Sequence, residues 1–243
     1  MKDYGDSTYG DRFAEVYDEI YSDYDPASIE LLTELAGDGS ALELGIGTGR
    51  IALPLLEKGV KVKGVDASGA MVSKLRAKPR GTDVEVLLGS FADFEMDERF
   101  QLIYVVFNTF FNLPTQEKQV RCFHAVRQHL SKGGKFLLEV FVPDPCRFRD
   151  HQTVRVIDLE GDLARLEVSQ FDPVAQRVTS QHVLITEDEI HFHPVRLRFA
   201  WPSELDLMAQ IAGLSLRQRW GSWSKDEFRK DSQKHISVYG VAG

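Results

Sequence analysis

Glu43-Leu44-Gly45-Ile46-Gly47-Thr48-Gly49-Arg50 decides the reading of this chain. The segment follows a short apolar run, Ala41–Leu44, and opens a helical pattern, Arg50–Lys58, that Gly59 stops. Glycines at alternate positions between a strand and a helix let the backbone turn sharply and come close to a ligand. The helix N-terminus adds N–H groups that nothing inside the helix can use. The next apolar run, Val60–Val65, ends at Asp66, seventeen residues beyond Gly49, where a carboxylate can accept hydrogen bonds from a ribose diol. A glycine turn alone is an ordinary strand-to-helix turn, but the acid on the next strand points to a nucleotide-like cofactor. A dinucleotide fold requires G-x-G-x-x-G, with the third glycine inside the helix, so the spacing Gly45-x-Gly47-x-Gly49 disfavours a nicotinamide oxidoreductase.

Outward from this turn, short apolar runs alternate with helical patterns. Ser68–Lys78 reads as a helix with a serine cap, Val84–Leu88 and Leu102–Phe107 as strands, Gln116–Leu130 as a helix and Lys135–Phe141 as a strand. Continuous apolar strands separated by helices predict a parallel sheet covered on both faces, a doubly wound α/β core. From about Thr153 to Trp201 the rhythm changes to alternation (Val154/Val156, Leu166/Val168, Val183/Ile185, Val195/Leu197/Phe199/Trp201), which predicts a half-exposed antiparallel sheet of about four strands. A helix over Ser203–Ala212 and strands over Leu214–Trp220 and His235–Val241 would return to the core sheet. Before the core, Phe13, Val16, Tyr17, Ile20, Tyr21 and Tyr24 recur at helical spacing, and Asp25-Pro26 starts a second helix that ends at Gly37. The expected organisation is one domain over 1–243, with a helical cap (1–37), a cofactor-binding core (38–149), an antiparallel insertion (150–201) and a C-terminal helix with closing strands (202–243).

At Glu43–Gly49 the sequence resembles the class I S-adenosylmethionine-dependent methyltransferases, whose first motif has the form (Glu/Asp)-x-Gly-x-Gly-x-Gly. Leu130-Ser131-Lys132-Gly133-Gly134, before the Lys135–Phe141 strand, is similar to a turn typical of that family. The resemblance covers residues 40–142 and implies a seven-stranded Rossmann-like sheet that binds S-adenosylmethionine and releases S-adenosylhomocysteine. It implies that Glu43, Gly45, Gly47 and Gly49 bracket the methionine part and that Asp66, with the adjoining Ala67, holds the ribose. In the family's third element an acid meets the adenine amino group; here Ser90 stands where that acid is usual, so either Ser90 or Asp93 takes the contact, and Phe91 stacks on the ring. Tyr17 is similar to a tyrosine that family members bring over the cofactor from an N-terminal helix. The layout is similar to that of small-molecule N-methyltransferases acting on amino sugars and glycine.

The chain has 243 residues, 29 Lys+Arg against 37 Asp+Glu, and a net charge of −8. Six of those negative charges fall within residues 1–25, which hold eight acids, two bases and five of the seven tyrosines. Without a basic cluster, nucleic acid and anionic membranes are poor partners. No run reaches the roughly 18 apolar residues of a membrane span, the first residues do not read as a signal peptide, and two cysteines are too few for a disulfide framework. A cytoplasmic protein is expected. At the end of the fourth strand, Phe107 and Asn108 lie where doubly wound folds bind ligands, and Phe107 is assigned to the cofactor and Asn108 to catalysis. Glu139 is the other catalytic candidate, able to meet a substrate amine or to serve as a polar residue at a sheet end. His191-x-His193 lacks the further ligands a metal site needs, so no metal is expected. The acceptor is expected to be a small molecule methylated at nitrogen, with O-methylation and cofactor binding without transfer as alternatives. The exposed alternating strands predict a homodimer.

Overall fold

The computed structural model describes residues 4–242. Its central sheet has seven strands: β1 (Ser40–Leu44), β2 (Lys61–Asp66), β3 (Glu85–Leu88), β4 (Phe100–Val105), β5 (Leu130–Phe141), and, after an intervening second sheet, β10 (Leu214–Trp220) and β11 (Lys234–Val241). The order is β10-β11-β5-β4-β1-β2-β3, parallel from β3 to β5, with β11 antiparallel to β5. The chain leaves β1 towards β2 and β3, then crosses back to place β4 on β1's other side. That reversal opens a crevice at the strands' carboxyl ends between the turn after β1 and the turn after β4. The sheet is buried on both faces, and successive β4 residues divide accordingly: Leu102 and Tyr104 pack on one side, Ile103 and Val105 on the other.

Helices cover the two faces where the punctuation predicted them. They are α3 (Pro26–Ala36), α4 (Ala52–Glu57), α5 (Gly69–Arg76), α6 (Gln116–His129) and α7 (Pro202–Ile211). Asp25 caps α3 by accepting from Ala27 N, Ser68 caps α5 through Met71 N and Thr115 caps α6 through Lys118 N. The expected single helix of the cap is instead two short ones, α1 (Thr8–Phe13) and α2 (Tyr17–Ile20), separated by a turn. Helical spacing of the aromatic residues survives the break because both pieces lie against the same body. α4 starts at Ala52 rather than Arg50, which leaves Arg50 in the turn.

The second sheet is the predicted antiparallel one, β6 (Gln152–Glu160), β7 (Leu163–Asp172), β8 (Arg177–Ile185) and β9 (Ile190–Arg198) in that order. Apolar residues lie on both of its faces, with Phe171, Val178, Val195 and Leu197 packing inward. Val156, Leu166, Val183 and Phe192 are directly opposite one another across all four strands and point away from the core; Val156 is 60% and Phe192 59% exposed. The polar row Glu167, His182 and His193, together with Ser169 and Ser180, faces inward under the cap. No helix among the described residues is long and apolar enough to cross a membrane.

Candidate active site

The glycine turn is built so that only one of its positions is free towards the crevice. Gly45 (φ +73°), Gly47 (φ +56°) and Gly49 (φ +79°) all use the left-handed region. A Cβ on Gly45 would stand 2.3 Å from Thr109 Cγ2 and one on Gly49 2.4 Å from Leu75 Cδ1, whereas a Cβ on Gly47 would meet nothing within 4 Å. Gly47 therefore keeps its bare side towards open space, a cradle for a ligand. Gly47 N donates to Asp66 Oδ2 (2.7 Å) and Ser68 N to Asp66 Oδ1 (2.8 Å), so this carboxylate ties the turn to the end of β2. Burial pushes the Asp66 pKa up, against the opposing pull of those N–H groups. Ala67 follows it, half-buried. Glu43 lies buried beneath the turn, accepting from the Tyr104 hydroxyl at 2.9 Å, and burial pushes its pKa up to about 8.

The cap is fastened to each of the three loops that follow β1, β2 and β3. Asp18 accepts from Thr48 Oγ1 (2.6 Å) and pairs with Lys78 (2.8 Å), Asp11 accepts from Ser68 Oγ (2.6 Å), and Asp6 accepts from Ser90 Oγ (2.7 Å) while pairing with Lys118 (2.7 Å). Ser90 is thus bonded to a carboxylate from the cap. Asp93, the other candidate at this loop, pairs with Arg121 at 2.8 Å on the surface. Phe91 is 8% exposed and packs into the core beside Gly45.

At the end of β4, Phe107 (φ +57°) and Asn108 (φ +63°) are consecutive non-glycine residues in the left-handed region, a strained arrangement that the neighbouring strand holds in place. Glu139 Oε2 accepts from Phe107 N (2.9 Å), the Glu139 carbonyl accepts from Asn108 N (3.2 Å), and Asn108 Oδ1 accepts from Phe141 N (2.7 Å). The Phe107 ring lies 4.2 Å from the Arg50 guanidinium on one side and 5.1 Å from the Tyr21 ring on another. Glu139 does not share this space. It lies in a separate pocket of about 260 Å³ behind Phe107, where Oε1 accepts from Lys234 Nζ (2.9 Å) and Trp223 Nε1 (3.2 Å). From that position behind Phe107, outside the cavity in front of it, this carboxylate holds the strand ends.

In front of Phe107 is a cavity of about 280 Å³ bounded by the cap, the end of β4 and the inner face of the antiparallel sheet. Tyr9, Tyr17, Tyr21 and Phe107 form its aromatic side. Burial pushes all three phenols up, Tyr17 to about 12. Asn108, Asn112, Glu167 and His182 form the polar side, and Asn112 Oδ1 is a buried acceptor without a partner. The structure therefore brings Tyr17, Phe107 and Asn108 together and adds Tyr9, Tyr21, Asn112, Glu167 and His182. The last two are cross-strand partners, and no short-range motif announces such a pair. Arg50, directly after the motif, is the cation beside the turn. His151 lines a different groove, on the far edge of the sheet, and His235 is buried in the core beside Ser237. His129 is buried, with its Nδ1 2.7 Å from the Ala125 carbonyl and its Nε2 accepting from Met96 N.

A family model described as a methyltransferase domain matches residues 41–134. The CcbJ methyltransferase from Streptomyces caelestis is 37% identical, with 99% of this chain and 100% of that one covered and a TM-score of 0.92. The cypemycin N-terminal methyltransferase from Streptomyces sp is 28% identical over 96% of this chain and 97% of its own. An S-adenosylmethionine-dependent methyltransferase from Clostridium acetobutylicum ATCC 824 superposes over 95% of this chain and 98% of its own, with a TM-score of 0.81. Its 19% identity carries the likeness of fold.

Proposed function

The chain belongs to the S-adenosylmethionine-dependent methyltransferases, and from that premise we propose that its acceptor is an amine of a small polar molecule bound in the cavity beneath the cap. The observation that carries this reading is the inward polar face of the antiparallel sheet. Its Glu167 carboxylate and His182 ring, together with the unpartnered Asn112 Oδ1 from the turn after β4, are hydrogen-bond acceptors that call for N–H donors on the ligand. Opposite them, aromatic faces suit cations.

When bound, S-adenosylmethionine supplies a methyl group activated by its sulfonium. The bare side of Gly47 and the tied carboxylate of Asp66 fit such a group, and in this reading Gly45, Gly47 and Gly49 with Glu43 and Arg50 hold its amino-acid end. Asp66 and Ala67 hold the ribose, and Ser90, with Asp6 behind it, and Phe91 hold the base. Tyr17 and Phe107 close over the reacting region, exclude water and set the acceptor in line, which is the main source of rate for a displacement of this kind. Asn108 orients the end of β4, and Glu139 positions Phe107 from behind.

The outer apolar row of the antiparallel sheet supports a homodimer, since two such faces pack as sheets do in a sandwich. Two free cysteines and a lone buried thiol among them suit the cytoplasm. Mass spectrometry on a panel of small amines and their hydroxyl isosteres, each incubated with enzyme and S-adenosylmethionine, tests the acceptor class. Methylated amines with unchanged alcohols are expected, and the reverse pattern refutes the reading.

A further inference from the structure

An amine acceptor arrives as an ammonium at neutral pH and has no electron pair for attack until one proton leaves. The groups around the cavity differ in their capacity to take it. Tyr9, Tyr17 and Tyr21 hold their protons, since burial raises all three phenols. Glu139 is outside the cavity, and Asp144 sits at the rim capping Cys146 N. Glu167 accepts from Ser169 Oγ (3.1 Å) and Ser180 Oγ (3.4 Å) and pairs with Arg155 (3.1 Å), so it serves to hold charge in place.

His182 differs from all of these. It sits in the middle of β8 with Glu167 directly opposite on β7 and His193 opposite on β9, and Phe13 of the cap meets its ring edge-on at 6.0 Å between centroids. Burial depresses its pKa, and His193, Arg155 and Arg165 push the same way while Glu167 opposes them; none of these influences is a hydrogen bond to the ring. The imidazole is therefore neutral at pH 7 with a free acceptor nitrogen facing the cavity, next to a fixed carboxylate.

Building on the amine reading, we propose that Glu167 and His182 form the acceptor's deprotonation site, Glu167 holding the ammonium and His182 taking its proton. An N–H bond of the ammonium breaks, its electron pair stays on nitrogen, and the proton goes to the free imidazole nitrogen. The nitrogen pair then forms the new N–C bond as the methyl carbon's bond to sulfur breaks, with that pair leaving on sulfur. His182 returns its proton to solvent through the open side of the cavity.

The experiment compares wild type, His182→Gln, His182→Ala and Glu167→Gln with an amine that the wild type methylates. S-adenosylhomocysteine affinity is measured by calorimetry as a check on the cofactor site. For His182→Gln, kcat/KM at pH 7 is expected to fall by about 10²–10⁴-fold with the affinity unchanged. The gap should close as pH rises towards the amine's own pKa. Added imidazole should restore His182→Ala, and Glu167→Gln should raise KM more than it lowers kcat. In NMR titration of the S-adenosylhomocysteine complex, the His182 ring should titrate below the ordinary histidine value, and lower still in Glu167→Gln. An unchanged pH profile in His182→Gln, or a failure of imidazole to rescue His182→Ala, overturns the proton-acceptor role and leaves the amine reading intact. A wild type that methylates hydroxyls alone removes both.

Discussion

Adding one methyl group at each of two glycines should separate cofactor binding from folding. Gly45→Ala and Gly47→Ala both place a side chain in the left-handed region (φ +73° and +56°), which costs about 1–2 kcal/mol at either site. There the likeness ends. The Cβ at position 45 falls 2.3 Å from Thr109 Cγ2, a contact that something must relieve, and overpacking of that kind adds about 1–3 kcal/mol. The Cβ at position 47 enters open space and adds nothing to the folding cost. At about 2–4 °C per kcal/mol for a chain of this size, Gly47→Ala should lower Tm by roughly 2–8 °C and Gly45→Ala by roughly 4–20 °C. Affinity should run the other way. The methyl at 47 stands in the cradle itself, and a steric cost of about 1–3 kcal/mol there weakens S-adenosylhomocysteine binding by roughly 5–150-fold. Thr109→Ser removes Cγ2, so it should recover part of the stability lost by Gly45→Ala and none of the affinity lost by Gly47→Ala. Differential scanning fluorimetry and isothermal calorimetry read the two quantities. If Gly47→Ala binds S-adenosylhomocysteine as wild type does, or is the less stable of the two single variants, the cradle is misassigned.

Three further outcomes follow from the charges and surfaces. Although burial opposes it, the Lys78 ammonium and the Thr48 hydroxyl hold Asp18 below the usual carboxylate range, and Lys118 and Ser90 do the same for Asp6. An acid depressed in the folded state stabilises it above its unfolded pKa of about 4 and loses that contribution as pH falls through the folded value. Hydrogen exchange over residues 4–24 should therefore accelerate below about pH 4 before the core does, and Asp18→Asn should show the faster exchange already at pH 7. Glu43 has the opposite sign: its pKa of about 8 means that wild-type stability declines as pH rises from about 4.5 towards 8, and Glu43→Gln, which keeps an acceptor for Tyr104, should flatten that decline in a Tm-versus-pH series. Phe192→Glu together with Val156→Lys should shift sedimentation from dimer to monomer with S-adenosylhomocysteine affinity unchanged. A wild type that sediments as a monomer removes the dimer.

Most of the core could be read in the sequence because buried parallel strands are continuous apolar runs and glycine, proline and cap residues mark their ends. Asp25-Pro26 and Ser68 mark two helix starts within the sequence itself. What was not legible depended on contacts between distant segments. Glu139 reads as a free polar residue at a sheet end, yet its partners Trp223 and Lys234 lie 84 and 95 residues away. The alternation in residues 153–201 predicts an antiparallel sheet but not which parity faces the core. The apolar parity includes the outer row of Val156, Leu166, Val183 and Phe192, so the pocket-lining Glu167 and His182 sat among residues that read as solvent-exposed. Register across a sheet is fixed by pairing, and a one-residue slip exchanges the two faces.

The acidic cap illustrates the same point at the level of charge. Its carboxylates read as a solvated face on an amphipathic helix, and their sum accounts for most of the chain's net charge. In the fold, three of them bond to the hydroxyls of the loops after β1, β2 and β3, and a fourth, Glu15, pairs with Lys74 of α5. Asp18 meets the loop after β1, Asp11 the loop after β2 and Asp6 the loop after β3, in the reverse order of the strands. Lys78, just beyond α5, pairs with Asp18, and Lys118, on α6, pairs with Asp6, so a hydroxyl bond is combined with an ion pair at each end of the cap, while at its middle the Asp11 hydroxyl bond stands beside the exposed Glu15–Lys74 pair. Half-exposed ion pairs contribute only about 0–1 kcal/mol each, which makes the strap easy to release as a unit and hard to displace at one point. Tyr9, Tyr17 and Tyr21 of the same strap wall the cavity proposed for the acceptor, so in that reading cofactor exchange and acceptor entry would share one motion of this segment.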